Sequence, residues 1–384
     1  MALVGRLLCF SRDFLEFPMA VIAPSRRVRR TPFSDGVEAQ GVKGYTVYNH
    51  MLLPTVFDTV VSDYHHLKQH VQVWDVSCER QVQVKGPDAR RLVQLLTPRD
   101  LSKLAPNRGM YLPVVDQHGG MLNDPVLIEA GNDTYWISIA DSDFLQWVLA
   151  VAACNGFDVE VSEPDVSPLG VQGPKSDALM ARVFGDAVCD LRFFGCGRFE
   201  WQGHDMMISR SGYSKQGGFE IYVEGSELGM PLWEALFAAG KDLQVRAGCP
   251  NLIERIEGGL LSYGNDMTRD NSPLECGLGK YVSDTMLDTC FGGRALREER
   301  AAGAAQMIRP IAIEGDIPGC DRAWPIIAGG QKVGQVTSAA YSPDYGTNVA
   351  IGMVAASHWD AGTALEVQTQ TGLRAASVQE KFWI

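Results

Sequence analysis

Gln81-Val82-Gln83-Val84-Lys85-Gly86-Pro87-Asp88-Ala89 is a short polar-apolar alternation running into a Gly-Pro turn. Alternation of this kind predicts a half-buried strand, and Asp88 is placed to cap a helix carrying Leu92, Leu95 and Leu96. The same order returns from Val166, where a strand leads into Gly173-Pro174-Lys175-Ser176-Asp177 and then a helix over 178–184. One turn used twice, each time between a strand and a helix, predicts an internal structural repeat.

Working outward, the first turn is followed by predicted strands over 110–115, 121–128 and 135–139. Gln117-His118-Gly119-Gly120 and Gly131-Asn132-Asp133 supply the hairpin turns, and a helix is expected over 143–153. Behind the second turn come strands near 198–202, 205–209 and 219–223 and a helix over 230–239. Upstream, apolar positions 64, 67, 71 and 74 have helical spacing, predicting a helix that ends at Asp75. Beyond 261 the chain is Gly-rich and irregular to about Asp288. From Gln306 short β segments return with turns at Gly315, Gly329-Gly330, Pro343-Asp344 and Gly362, suggesting a separate small barrel or sandwich.

A chain of 384 residues exceeds one ordinary core and leads to an expectation of two or three domains. With 46% hydrophobic and 21% charged residues it is composed as a folded protein rather than a disordered one. No apolar run reaches the roughly 18 residues of a membrane helix. A formal net charge of −12 argues against nucleic acid as a partner, since phosphate backbones require a basic face. Nine cysteines without a C-x-x-C pair fit reduced thiols and a cytoplasmic setting. No metal centre is expected. His66 and His70 are one helical turn apart but lack a third ligand, and Gly277-Leu278-Gly279-Lys280-Tyr281 lacks the spacing of a phosphate loop. The first 18 residues fit neither a secretory signal nor a transit peptide, so Met19 is read as an alternative start and the segment before it as dispensable. Residues 1–30 are read as a flexible arm, basic and solvated around Arg26, Arg27, Arg29 and Arg30.

Three further segments concentrate the chemistry: Gly119-Gly120-Met121-Leu122-Asn123-Asp124-Pro125, Arg210-Ser211-Gly212-Tyr213-Ser214-Lys215-Gln216-Gly217-Gly218-Phe219-Glu220-Ile221-Tyr222, and Ile253-Glu254-Arg255-Ile256-Glu257-Gly258-Gly259. Together with Trp74-Asp75-Val76-Ser77, the two Gly-Pro turns and Gly334-Gln335-Val336-Thr337-Ser338, they resemble the folate-dependent aminomethyltransferase family typified by the glycine-cleavage T-protein. The resemblance runs in order from about 45 to 355. It implies an α+β cloverleaf of three domains around a central folate cavity: two interleaved α+β units over 31–287 and a C-terminal β-barrel domain over 288–384.

The resemblance also implies roles. Glu220 would anchor the pterin of tetrahydrofolate by accepting paired N–H bonds; as an isolated residue it reads as a strand acid sharing a face with Tyr222. Asp124 would act near the folate nitrogens, where by itself it reads as a turn residue, and Tyr111 joins the folate positions. Arg255 would reach folate or a substrate carboxylate, with an ion pair to Glu254 or Glu257 as the alternative. Three segments depart from the T-protein pattern: Leu53-Pro54-Thr55-Val56-Phe57, Asn123-Asp124-Pro125 and Ser214-Lys215-Gln216-Gly217-Gly218. They resemble instead the branch whose methyl donor is dimethylsulfoniopropionate. In that branch Tyr213, Tyr222 and Phe57 would face the sulfonium, Ser138 would bond the substrate carboxylate, and Asp124 would orient folate for direct methyl transfer. Each reads otherwise as a core aromatic or an ordinary strand serine. A homodimer is left open. Rival functions are the aminomethyltransferase of glycine cleavage and a non-catalytic folate-binding relative. The branch acting in RNA modification or iron–sulfur maintenance carries a Lys-Gly-Cys-Tyr-x-Gly-Gln-Glu motif that this sequence lacks.

Overall fold

In the computed structural model residues 25–384 are described; the Met19 start and the rest of the arm up to residue 24 lie outside the described residues. Both Gly-Pro turns form, and they are the same turn. Gly86 has φ +137° and Gly173 φ +118°, and a Cβ on either would strike a backbone oxygen, of Asp158 or of His70. Only glycine meets both demands.

Helix α1 (Ser34–Ala39), the hairpin β1 (Gly44–Tyr48) and β2 (Met51–Val56), helix α2 (Val60–Gln69) and strand β3 (Gln72–Asp75) precede the first unit. That unit runs β4 (Gln81–Lys85), α3 (Ala89–Leu96), β5 (Gly109–Tyr111), β6 (Val114–Val115), β7 (Met121–Asn123), β8 (Val126–Gly131), β9 (Thr134–Ser138) and α4 (Phe144–Asn155), and β10 (Glu160–Ser162) leads into the second as β3 leads into the first. The second runs β11 (Val166–Gln172), α5 (Ser176–Phe184), β12 (Cys196–Trp201), β13 (His204–Ser209), β14 (Gly218–Glu224), α6 (Gly229–Ala239) and β15 (Arg246–Gly248).

The strand orders are β10-β4-β9-β8-β5 and β12-β13-β14-β11-β3-β15. Within them β4-β9-β8-β5 matches β11-β14-β13-β12, so the repeat extends to the pairing. The two units also exchange strands: β3, just ahead of the first unit, pairs with β11 of the second, and β10, just ahead of the second, pairs with β4 of the first. Side chains from the two sheets meet in a shared core of Ile128, Trp136, Val166, Cys196, Met207 and Tyr222. The remaining faces pack on helices, α3 and α4 for one sheet and α1, α5 and α6 for the other.

Helix α7 (Leu252–Glu257) and α8 (Gly293–Ala302) lead to a closed barrel of β16 (Gln306–Ile313), β17 (Trp324–Ala328), β18 (Gln331–Ser342), β19 (Thr347–Ala355), β20 (Ala364–Thr369) and β21 (Gly372–Val378), which encloses Ile311, Trp324, Ile326, Val336 and Val354. The barrel is fastened through α7: Ser342 Oγ donates to Glu257 at 2.5 Å, and Arg255 Nη2 donates to Ser338 Oγ at 2.7 Å.

Three expectations are corrected. The helix read over 64–74 stops at Gln69, and Val71 and Trp74 instead belong to or flank β3. β3 is buried along its whole length between β11 and β15, so its apolar residues mimic helical spacing. Asp88 makes no side-chain cap; its carboxylate accepts from Asp158 N and from Arg91, tying the turn to the segment before β10. The end of the basic arm is not simply solvated, because Arg29 pairs with Glu163 at 2.8 Å and Arg30 with Asp35 and Glu38.

Candidate active site

A cluster of carboxylates and phenols is drawn from the segment just after the β6–β7 hairpin, the end of β5 and the interior of β14. Asp124 follows β7, and Tyr111, at the end of β5, donates its hydroxyl to Asp124 Oδ2 at 3.0 Å. The other oxygen, Oδ1, is enclosed and has no hydrogen-bond partner among the described residues. Burial pushes the Asp124 carboxyl up to about 7 against the Tyr111 bond, which lowers it. Tyr111 is held in turn by its carbonyl, which accepts from Arg99, and by the ring of Tyr281, 5.4 Å away.

Glu220, 8% exposed, is the second carboxylate. Ser211 Oγ donates to its Oε2 at 2.5 Å and the Tyr222 hydroxyl approaches the same oxygen at 3.5 Å, which leaves Oε1 without a partner among the described residues. The two acids are thus built alike: one hydroxyl fixes one oxygen, and the second oxygen is left to accept. Burial raises the Glu220 carboxyl, opposed by those two hydroxyls.

The expected residues separate into those that converge here and those that do not. Ser138 lies opposite Gln81 on β4 and accepts from Gln81 Nε2 at 2.9 Å, while its own hydroxyl has only a long 3.4 Å bond to Glu79 O. Tyr222 brings its hydroxyl to Glu220, but its ring is 1% exposed within the shared core of the two sheets. Tyr213 donates to Leu260 O and Leu261 O, both at 2.8 Å, and its ring packs on Leu67, Trp74 and Val76. Phe57 packs at the margin of the helix-covered core, its amide bonded to Asp63, and is not among the groups gathered around Asp124 and Glu220. Arg255 is buried and committed to Asp266 at 2.8 Å and to Ser338; neither Glu254 nor Glu257 is its partner. Glu254 instead accepts from Lys215 N and Gln216 in the loop before β14, and Glu257 from Tyr64 and Ser342. His66 is turned onto Gln244 O, and no metal-holding group occurs among the described residues.

Two residues beside the acids escaped the sequence reading, Glu79 and Tyr48. Glu79 follows the Trp74-Asp75-Val76-Ser77 segment, and a lone acid after an apolar strand carries no periodic signal. Tyr48 stands at the tip of a hairpin whose docking depends on residues remote in sequence.

A model of the GCVT N-terminal domain matches residues 33–285, and one of the glycine cleavage T-protein C-terminal barrel domain matches 311–383. The chain belongs to the glycine-cleavage T-protein family. Among its relatives, dimethylsulfoniopropionate demethylase DmdA of Ruegeria pomeroyi is 62% identical, over 95% of this chain and all of that protein. The aminomethyltransferase of Moorella thermoacetica is 29% identical over 91% of this chain and 96% of its own. Among solved structures, the glycine cleavage system aminomethyltransferase T of Bartonella henselae superposes with a TM-score of 0.81 at 23% identity, covering 93% of this chain and 98% of that one. The T-protein architecture expected from the motifs, including the closed C-terminal barrel, is therefore the fold.

Proposed function

We propose that this protein moves a methyl group from the sulfonium of dimethylsulfoniopropionate to N5 of tetrahydrofolate, yielding 3-methylthiopropionate and 5-methyltetrahydrofolate. The observation that carries the reading is the 62% identity extending over the full length of a protein named for that demethylation, against 26–29% for the aminomethyltransferases. The geometry agrees with a folate site. Asp124 Oδ1 is enclosed without a partner and Glu220 presents its Oε1, so the pair offers acceptors to a ligand rich in N–H donors.

Bound folate would supply the nucleophilic N5 lone pair. Glu220 holds the pterin and Asp124 fixes its orientation, each carboxylate kept in place by the hydroxyl of Ser211 or Tyr111. The Ser138 hydroxyl, with only a long bond of its own, is free to turn toward the substrate carboxylate. The methyl carbon passes to nitrogen as its bond to sulfur breaks and the electron pair stays on the thioether. No proton need leave beforehand, so alignment is the chief requirement, and near-attack placement is worth up to roughly 7–11 kcal/mol. The proton released from the methylated nitrogen can rest on Asp124 Oδ1, whose carboxyl lies at about 7.

Arg255 supports the site by joining α7, the Asp266 loop and the barrel. A cytoplasmic setting is supported by eight cysteines, all free, among the described residues, and no described helix is long and apolar enough to cross a membrane. The homodimer is a proposal for sedimentation analysis. The functional test is direct: protein, tetrahydrofolate and dimethylsulfoniopropionate should give 3-methylthiopropionate and 5-methyltetrahydrofolate in equal amounts. Methylenetetrahydrofolate and ammonia from an aminomethyl-lipoyl donor, with no methylated folate from the sulfonium, would install the aminomethyltransferase reading instead.

A further inference from the structure

Of the rings expected to face the sulfonium, that of Tyr222 is covered by Ile128, Trp136 and Met207, and half-buried Tyr213 packs against Leu67, Trp74 and Val76 with its hydroxyl held by Leu260 O and Leu261 O. We infer that the cationic end of the methyl donor is recognised by Tyr48 and Glu79, which the β1–β2 hairpin and the segment after β3 bring together beside Asp124. This rests on the methyl-transfer reading above and names the residues that select a charged donor within it.

The hairpin tip is held firmly. Asn49 and His50 have φ +47° and +62°, the left-handed pair of a tight hairpin turn. Buried Asn49 donates its amide N–H to Asp141 at 2.7 Å and its side-chain nitrogen to Cys78 O at 2.9 Å and to the carbonyls of Ile139 and Ala140, while its Oδ1 accepts from Ser142 N. The bond to Cys78 O docks the tip on the residue just before Glu79. The Tyr48 phenol makes no hydrogen bond among the described residues, and burial followed by the charges of Glu79 and Asp124 pushes it well up.

Glu79 is the complement. Its backbone oxygen is used by Gln81 Nε2 and Ser138 Oγ, but its carboxylate has neither hydrogen-bond nor ion-pair partner among the described residues. Arg80, next in the chain, is engaged by Glu163, and Arg255 by Asp266. Burial, then Glu220 and Asp124, push the Glu79 carboxyl well up. An independent observation points to a ligand: Gln81, 1% exposed and in register with Ser138, has an enclosed Oε1 with no partner among the described residues. The surroundings are acceptors and a phenol, with no cation paired to Glu79 among the described residues. A sulfonium has no N–H or O–H to donate, but it brings a positive charge and polarised methyl C–H groups that suit carboxylate oxygens and an aromatic face. Ser138, bonded to Gln81, is placed for the other end of the same short zwitterion.

The test compares dimethylsulfoniopropionate with 4-methylpentanoate, the same carbon skeleton with an uncharged CH in place of the sulfonium. Calorimetric binding of both ligands is measured for the wild type, Glu79→Gln, Tyr48→Phe and Tyr48→Leu, with thermal unfolding to verify folding. The wild type should prefer the cation about tenfold or more. Glu79→Gln and Tyr48→Leu should each shrink that preference by roughly 3- to 30-fold while Tyr48→Phe, which keeps the ring, retains most of it. In turnover the loss should fall on the donor KM rather than on kcat. Equal binding of the two ligands by the wild type, or an unchanged preference in both Glu79→Gln and Tyr48→Leu, overturns the inference. Should Glu79→Gln not fold, the two Tyr48 variants decide. Failure of the wild type to demethylate the sulfonium despite preferring it would count against the functional reading alone.

Discussion

Asp124 and Glu220 each expend one oxygen on a hydroxyl of the protein, which turns a flexible acid into an acceptor of fixed direction. Glu220→Gln replaces an acceptor by an amide that can face donors with a donor, and should weaken tetrahydrofolate by about 1.5–3 kcal/mol in titration calorimetry. An unchanged isotherm would remove Glu220 from the folate site. Asp124 yields a prediction of opposite character. Its folded carboxyl lies at about 7, above the roughly 3.9 of an unfolded aspartate, so its contribution to stability is fully present below about pH 4 and is lost as pH rises through 7. Ligand-free Asp124→Asn should therefore lose less stability than the wild type between pH 5 and 8 in urea melts. The dependence should shrink rather than vanish, since Glu79 and Glu220 are raised too. Asp124→Asn should also keep partial methyl-transfer activity, because an orienting acceptor oxygen remains.

At the scale of the element, the Gly-Pro turns and the β1–β2 hairpin show how local chemistry sets longer contacts. Gly173→Ala would place a Cβ at φ +118° against His70 O, and should destabilise by about 1–3 kcal/mol in chemical denaturation. The turn was legible because Gly and Pro restrict the backbone irrespective of context. Asn49→Ala removes the bonds that tie the hairpin tip to Cys78, Ile139, Ala140 and Ser142. If Tyr48 faces the donor, this variant should raise the donor KM several-fold with little change in folate affinity, read by steady-state kinetics and calorimetry. The helix misread over 64–74 shows the limit of periodicity: a strand buried on both sides has no polar face to reveal it.

At the scale of the molecule, α7 is the joint. Arg255 reaches Asp266 and the barrel residue Ser338, Thr337 and Ser338 both donate to Asp266 Oδ1, and Glu257 binds Tyr64 and Ser342. Breaking the buried pair by Arg255→Leu strands the Asp266 charge and should cost about 3–5 kcal/mol, with the barrel and core no longer unfolding in one transition by calorimetry. A single transition at unchanged temperature would show that the pair is not what couples them. The sequence pointed Arg255 toward folate or a substrate carboxylate and carried no sign of a joint, because its partners lie eleven residues ahead and in another domain.

The sequence by itself determined the repeated strand-turn-helix unit, the separate β barrel, the family, and two of the acids at the candidate site. All of these rest on short-range rules or ordered motifs: glycine's freedom at positive φ, period-two alternation, and acids at fixed places within them. Tertiary structure alone decided that β3 and β10 are exchanged between the units, that the Tyr222 ring is clothed in hydrocarbon, and that the hairpin tip beside Tyr48 docks on Cys78, next to Glu79. The reason is physical. Which strand completes a sheet, and which unpartnered acid meets which phenol, depends on burial and pairing between segments distant along the chain, and no local pattern encodes either.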